Sequence, residues 1–215
     1  GSGQWLQARC GLLTASEMKH ILTPTLKPAS NDKERSHLYE LLAQRITGYV
    51  EPHYISDDML RGHVDEIEAR AIYAKKYAPV TDCGFITNDK WGFTIGYSPD
   101  GLVGDDGLIE CKSRRQKYQI ETICAFTVPS EHIIQVQTGM LVTERKWCDF
   151  ISYSGGLPMV KIRVTADPIL QQAIVDAATA FETRLAARLA EYTAVMSSQA
   201  ENLTPTERAV EQEMF

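Results

Sequence analysis

Apolar residues recur along this chain with two different periods, and the alternation between them outlines the elements. Leu38, Leu41, Leu42 and Ile46 share one face of a helix expected from about Lys33 to Thr47, with Gly48 placed to end it. A further helix is expected from Ser56, with Asp57 and Asp58 in its first turn, to a point before Pro79. On it Gly62, Glu66, Ala69 and Tyr73 fall on one side, and a glycine inside a helix suggests a close approach by a neighbour. Residues 84–96 then alternate like strands around an Asn88-Asp89 turn. Two short strands follow in 96–112, joined by Gly104-Asp105-Asp106-Gly107, with Asp100 near the end of the first. A helix starts at Pro129-Ser130-Glu131 and runs to about Thr143. Residues 146–154 and 159–164 read as strands. Asp167 and Pro168 form an N-cap and N1 pair for a long amphipathic helix to about Met196. Residues 23–32 read as a loop. From Ser197 the chain turns polar, and 205–215 reads as a short docking helix or a disordered tail.

Near the start, Thr14-Ala-Ser-Glu17 has the form of a capping box, which would put Ser16 in the first turn of a helix. Helix starts favour anions, and Arg9 just upstream would add a charge-assisted fork to the same anion.

With 215 residues, 44% of them hydrophobic, the chain is long enough for one domain with a sizeable core. Gly1-Ser2-Gly3, without an initiating Met, reads as an expression scar; residues 4–196 form the domain and 197–215 the tail. No apolar run approaches a membrane span and no secretory signal is visible. Five scattered cysteines (Cys10, Cys83, Cys111, Cys124 and Cys148), with no Cys-x-x-Cys, point to reduced thiols in a cytoplasm and away from a zinc or iron–sulfur cluster. A net charge of −6 argues against a nucleic-acid binder when taken alone. Local basic runs temper that objection: Lys27, Lys33 and Arg35; Lys75 and Lys76; and Lys112, Arg114, Arg115 and Lys117.

The chemistry concentrates in 96–112. Strand alternation sends Glu110 and Lys112 to one side and Cys111 to the other, while Leu108, Ile109 and Cys111 mark the strand as buried. Two carboxylates and an amine on a half-buried ribbon are costly unless compensated, and a divalent cation would do so. Hard oxygen ligands suit Mg²⁺ or Mn²⁺. Ser-Pro-Asp-Gly alone is an ordinary turn and Glu-x-Lys alone an ordinary surface pair. The information lies in their coincidence with the other motifs.

Four motifs in order resemble the lambda exonuclease family, also called YqaJ-type viral recombinases, within the PD-(D/E)xK nuclease superfamily. Trp5…Arg9-Cys-Gly-Leu-Leu-Thr-Ala-Ser16 is similar to the family's opening motif. Gly62-His-Val-Asp-Glu66-Ile-Glu-Ala69 resembles its Gly-x-x-x-Glu-x-x-Ala helix. Ser98-Pro-Asp100-Gly with Glu110-Cys-Lys112 resembles its catalytic core, and Gln135-Val-Gln137 its Gln-x-Gln helix. The likeness spans roughly residues 5–155. It implies an α/β fold with a restriction-endonuclease-like core, a central mixed β-sheet flanked by helices. It implies a Mg²⁺-dependent 5′-to-3′ exonuclease that digests one strand of duplex DNA from a 5′-phosphorylated end.

On this resemblance Asp100, Glu110 and the Cys111 carbonyl are metal ligands, and Glu66 helps hold a second ion. Lys112 activates the attacking water, and Gln135 positions the nucleophile or the scissile phosphate. Arg9, Ser16 and Ser98 form the pocket for the terminal 5′-phosphate, and Met59 is the apolar wedge at the end base pair. The same resemblance implies two Mg²⁺ per site with Mn²⁺ substituting, a homotrimeric ring around DNA, and a phage single-strand annealing protein as partner. It also implies a phage or prophage origin in a bacterial cytoplasm. The helicase-linked and CRISPR-adaptation branch, with Gln-x-x-x-Tyr and an iron–sulfur cluster, is not matched, since residue 139 is Gly and residue 141 is Leu. Two other readings stand beside this one: a structure-specific or restriction-type endonuclease on the same core, and a non-catalytic DNA-end-binding scaffold. An acidic nucleic-acid mimic fits poorly with an apolar ribbon.

Overall fold

A computed structural model describes residues 3–52 and 56–208; the side chain of Asp58 and the residues 209–215 of the expected tail lie outside the description. The helices are α1 (Gly3–Arg9), α2 (Asp32–Thr47), α3 (Asp57–Lys76), α4 (Gln116–Ala125), α5 (Ser130–Thr143) and α6 (Pro168–Ser198). The strands are β1 (Leu13–Thr14), β2 (Ile86–Asn88), β3 (Ile95–Tyr97), β4 (Gly101–Val103), β5 (Gly107–Ser113), β6 (Trp147–Tyr153) and β7 (Val160–Thr165).

The strands form two mixed sheets, ordered β1-β3-β2 and β4-β5-β6-β7. In the larger one β4 and β7 run antiparallel to the parallel pair β5–β6, which is in register from Gly107↔Trp147 to Ser113↔Tyr153. That parallel pair needs a crossover, which α4 and α5 supply. One apolar cluster joins Leu38, Leu41 and Leu42 of α2 to Ile95 and Tyr97 of β3, Leu108 of β5, Val136 and Met140 of α5, and Ile174, Phe181 and Leu185 of α6. A second joins Ala69 and Tyr73 of α3 to Ile109 and Cys111 of β5 and Ile151 of β6. The residues of β5 thus alternate between two packed layers, as a strand covered on both faces must.

Several expected elements form with their caps. Asn31 caps α2 through Lys33 and Glu34, and Gly48 ends it in the left-handed region at φ +64°. Ser56 caps α3, and Asp167 caps α6 with Pro168 at its first position. α6 runs on to Ser198, and a 3₁₀ turn at Ala200–Asn202 follows.

Other expectations need correction. Thr14 does not start a helix. Its backbone belongs to β1, which pairs parallel with β3 at Leu13↔Ile95 and Thr14↔Gly96, and the Ala15 amide extends the pairing to the Gly96 carbonyl at 2.9 Å. Only a three-residue 3₁₀ turn, Met18–His20, follows. The ribbon expected over 96–112 is divided between the sheets: β3 ends at Tyr97, and Asp100 stands at the start of β4 rather than the end of a strand. The β4–β5 ladder stops at Gly101↔Ile109, and beyond it the Cys111 amide donates to Asp100 Oδ2 at 2.6 Å. Gly62 permits no close approach, because a Cβ there would meet open space among the described residues. Two helices, α1 and α4, have no counterpart in the pattern reading.

Away from the β3–β5 region, Asp149 on β6 is fully buried and accepts from Tyr73 Oη at 2.7 Å and from Arg163 Nε and Nη2 at 2.8 and 2.9 Å, with Lys161 Nζ at 3.6 Å. Burial alone would raise its pKa. The hydrogen bonds from Arg163 and Tyr73 and the Lys161 charge outweigh burial and hold it below the ordinary carboxylate range.

Two outcomes are expected. Gly62→Ala should stabilise the protein by about 0.5–1 kcal/mol in a denaturant titration, since it removes backbone freedom from the unfolded chain and meets no obstacle; destabilisation would refute the open environment. Asp149→Asn should cost about 3 kcal/mol at pH 7 by the same titration. A depressed native pKa gives stability that is fully present above the unfolded value, near 3.8, and is lost as pH falls through the native value. The gap between wild type and variant should therefore narrow toward pH 3, and an unchanged gap would refute the charge's role.

Candidate active site

Where β3, β4, β5 and α5 meet, a cleft of about 180 Å³ is lined by Asp100, Glu110, Lys112 and Gln135 together with Arg9, Ser16, Ser98 and Tyr97. Residues up to 130 positions apart in sequence, Trp5 and Gln135, share this one concavity.

Glu110 is its centre. The residue is 1% exposed, yet its carboxylate is met by three donors. Gln135 Nε2 donates to Oε1 at 2.6 Å, Lys112 Nζ reaches the same oxygen at 2.7 Å, and Tyr97 Oη donates to Oε2 at 2.6 Å. The strand alternation expected for Glu110, Cys111 and Lys112 holds. Glu110 and Lys112 meet on the α5 side, while Cys111 joins the α3 cluster. Gly139 on α5 makes room for this arrangement, since a Cβ there would lie 2.7 Å from the Tyr97 ring.

The charges are unequal. Burial, then the Glu110 and Glu66 charges, push the Asp100 carboxyl well above its ordinary pKa against Lys112 and the Cys111 amide. Burial alone would lower the Lys112 pKa, but Glu110 and Asp100 outweigh it and keep the amine protonated. Burial and the Glu110 charge raise Tyr97, which therefore stays a donor. One ammonium thus faces an acidic group that repels itself, and the donor set is all hard oxygen, which suits a divalent cation. Glu66, half-buried on α3, does not line the cleft; its charge reaches Asp100 across the space between them. Among the described residues no three His, Cys, Asp or Glu side chains stand close enough to enclose a metal ion.

The cleft's far wall carries the anion-binding candidates. Arg9, at the end of α1, lies 4.2 Å over the Trp5 ring. It donates to Thr14 Oγ1 at 3.1 Å, and Thr14 in turn donates to Glu17 Oε2 at 2.8 Å, with Ser16 Oγ 3.3 Å from Thr14 Oγ1. Burial lowers the Arg9 pKa against the Glu17 charge. Because β1 commits Thr14 to the sheet, this wall offers a guanidinium and hydroxyls in place of the helix start expected at Ser16. Met59 stands apart, 56% exposed in the first turn of α3 and outside the cleft lining.

Two neighbours escaped the sequence reading. Tyr97 carried a signal, since a tyrosine on an otherwise apolar strand three residues before Asp100 needs a partner for its hydroxyl. His132 lies one turn before Gln135, stacks on Phe150 at 5.5 Å between ring centroids, and is held neutral with its pKa lowered to about 4 by burial and the Lys112 charge. Nothing in its spacing distinguished it from a packed histidine.

Comparison with known proteins bears on the family and the fold. The model of the YqaJ-like viral recombinase domain matches residues 4–146, more than half the chain. The chain is similar to the crystal structure of an alkaline exonuclease from Laribacter hongkongensis, LHK-Exo. The identity is 35% and the TM-score 0.81, over 93% of this chain and 100% of that one. A structure of LHK-Exo in complex with dAMP matches at the same identity and TM-score, over 94% and 100% of the two chains. A phage-related exonuclease from Haemophilus somnus 129PT shares the fold, with 14% identity, a TM-score of 0.60, and coverage of 83% of this chain and 96% of that one. Comparison with curated protein sequences finds no match. The chain belongs to the YqaJ-like viral recombinase domain family, nucleases built on the restriction-endonuclease-like fold.

Proposed function

We propose that this protein is a Mg²⁺-dependent exonuclease that digests one strand of linear duplex DNA from 5′-phosphorylated ends in the 5′-to-3′ direction. The observation that carries this reading is the sharing of one cleft by the Asp100–Glu110–Lys112–Gln135 group and the Arg9–Ser16–Ser98 wall.

In this reading Asp100, Glu110 and the Cys111 carbonyl, with Glu66 beside them, would hold two Mg²⁺ or Mn²⁺ ions, whose chemistry would be to acidify a water and offset charge on the phosphoryl oxygens. Gln135 and Tyr97 fix the rotamer of Glu110, so that its remaining acceptor capacity points one way. Lys112 stands beside that carboxylate, where its ammonium orients the attacking water and offsets the negative charge that develops on it, the water's proton passing to solvent. Arg9, Ser16 and Ser98 grip the terminal 5′-phosphate, which sets the distance from the end to the cut bond and hence the polarity. Met59, exposed at the start of α3, is the wedge that parts the end base pair. The product would be a 5′-mononucleotide, and the complex of LHK-Exo with dAMP is consistent with such a cleft.

By the same reading the remaining strand is a 3′ overhang for recombination by strand annealing. The protein works as a homotrimeric ring around DNA beside a phage single-strand annealing protein in a bacterial cytoplasm. No described helix is long and apolar enough to cross a membrane.

Lys112→Ala should lower the digestion rate of end-labelled linear duplex at least about 10²-fold, the scale of a lost preorganised donor at the reacting atoms, while DNA binding persists. Undiminished digestion would remove Lys112 from the site. Wild type should digest a 5′-phosphorylated duplex faster than a 5′-hydroxyl duplex, and leave a closed circle intact. Arg9→Ala should erase that preference, about 10-fold or more for a charged hydrogen bond of roughly 1.5–3 kcal/mol. Equal wild-type rates on both ends would remove Arg9 and Ser16 from the site, and cutting of the circle would make the protein an endonuclease.

A further inference from the structure

A second concavity, of about 460 Å³, opens between the first half of α3 and the start of α4, lined by Arg61, Asp65, Arg114, Arg115 and Gln116. Three guanidinium side chains share it with one carboxylate. That carboxylate is already engaged: Asp65 accepts from the Ser113 hydroxyl and lies 3.8 Å from Arg61 Nε. Arg114 is nine-tenths buried, with a side-chain exposure of 10%. It donates to Glu131 at 2.9 Å and contacts His132 at 3.1 Å, both through Nη1, while its buried Nε has no hydrogen-bond partner among the described residues. A buried N–H left without an acceptor is costly unless a ligand supplies one.

The backbone points the same way. Arg115 is the N-cap of the ten-residue α4 but makes no side-chain capping bond, and the first turn holds no acidic residue. The positive end of that helix therefore faces the cleft. The place matters as well. Arg114 lies two residues beyond Lys112, which lines the first cleft, so the chain leaving β5 links the two concavities.

We infer that this arginine cleft is a second DNA-phosphate site, in which Arg61, Arg114, Arg115 and the α4 N-terminus hold a backbone phosphodiester away from the terminal 5′-phosphate. This rests on the nuclease reading above and adds a binding site to it. The site reads charge and not base sequence, so it acts on affinity and on how long the enzyme stays on its substrate.

The test is fluorescence anisotropy with chelator present, so that binding is read without hydrolysis. The probes are a 5′-phosphorylated blunt duplex, a 5′-hydroxyl duplex and a single-stranded oligothymidylate, each across a salt series. Arg61→Gln/Arg115→Gln should weaken binding and lower the slope of log K against log[salt] by about 2 for duplex or about 1.4 for single strand. The single variant Arg115→Gln should lower it by about half as much, which keeps the test valid should the double variant fold poorly. The change should be the same on 5′-phosphate and 5′-hydroxyl ends. A loss seen only with single strand, or only with duplex, supports the site and assigns its occupant. An unchanged slope on every probe, in a wild type that binds and digests DNA, overturns this site alone. A wild type that neither binds nor digests any of them overturns the nuclease reading with it.

Discussion

A buried carboxylate gathers this structure around itself. Glu110 would be expensive to desolvate without partners, and each partner comes from a different part of the chain: Tyr97 from the smaller sheet, Lys112 from its own strand, Gln135 from α5. Satisfying it therefore fixes the relation of the two sheets and one helix. Tyr97 must reach across from β3, which requires α5 to pass close over its ring, which requires a glycine at 139. The packing of the fold and the assembly of the cleft are in this respect one constraint.

That constraint leaves electrostatic strain, and the strain has a direction. Tyr97 and Gln135 satisfy Glu110 without adding positive charge, so among the described residues Lys112 is the one cation paired with it. Asp100 is left facing two like charges, those of Glu110 and Glu66, and its burial keeps them poorly screened. Asp149, elsewhere on β6, shows the contrast. There Arg163 and Lys161 answer one carboxylate from the neighbouring strand, and the pKa falls rather than rises. The first arrangement suits the capture of a cation, whereas the second suits stability.

How much of this was legible depended on whether a signal survived in one dimension. The long helices were, because α2, α3 and α6 carry both an apolar stripe and a polar cap. The alternation at Glu110, Cys111 and Lys112 was too, since period 2 fixes facing. α4 was not, because its buried residues are Gln119 and Thr122; Gln119 is sealed in by the Ser152 and Pro158 carbonyls and the Ser152 hydroxyl, partners no periodicity can show. α1 has no buried residue at all. The Thr14 capping box failed for a different reason: parallel pairing with β3 competes for the same backbone and wins, and the Thr14 and Glu17 side chains still bond to each other inside a turn. Arg9, Ser16, Ser98, Asp100, Glu110, Lys112 and Gln135 share one cleft, whereas Glu66, Met59 and Cys111 stand outside its lining.

The net charge of −6 was the strongest objection to a DNA substrate, and its distribution answers it. Many acidic groups are spent internally. Glu182 binds Arg45 through two bonds of 2.7 Å, Glu34 binds Arg184, and Asp149 binds Arg163. The cationic side chains Arg9 and Lys112 line the first cleft, and Arg61, Arg114 and Arg115 line the second. A phosphate approaching either concavity meets those guanidinium and ammonium groups at short range, where the field is least screened, while charges farther off are attenuated by physiological salt over about 8 Å. The sign of the whole protein therefore says little about what its clefts attract, and the acidic remainder disfavours binding that does not enter them.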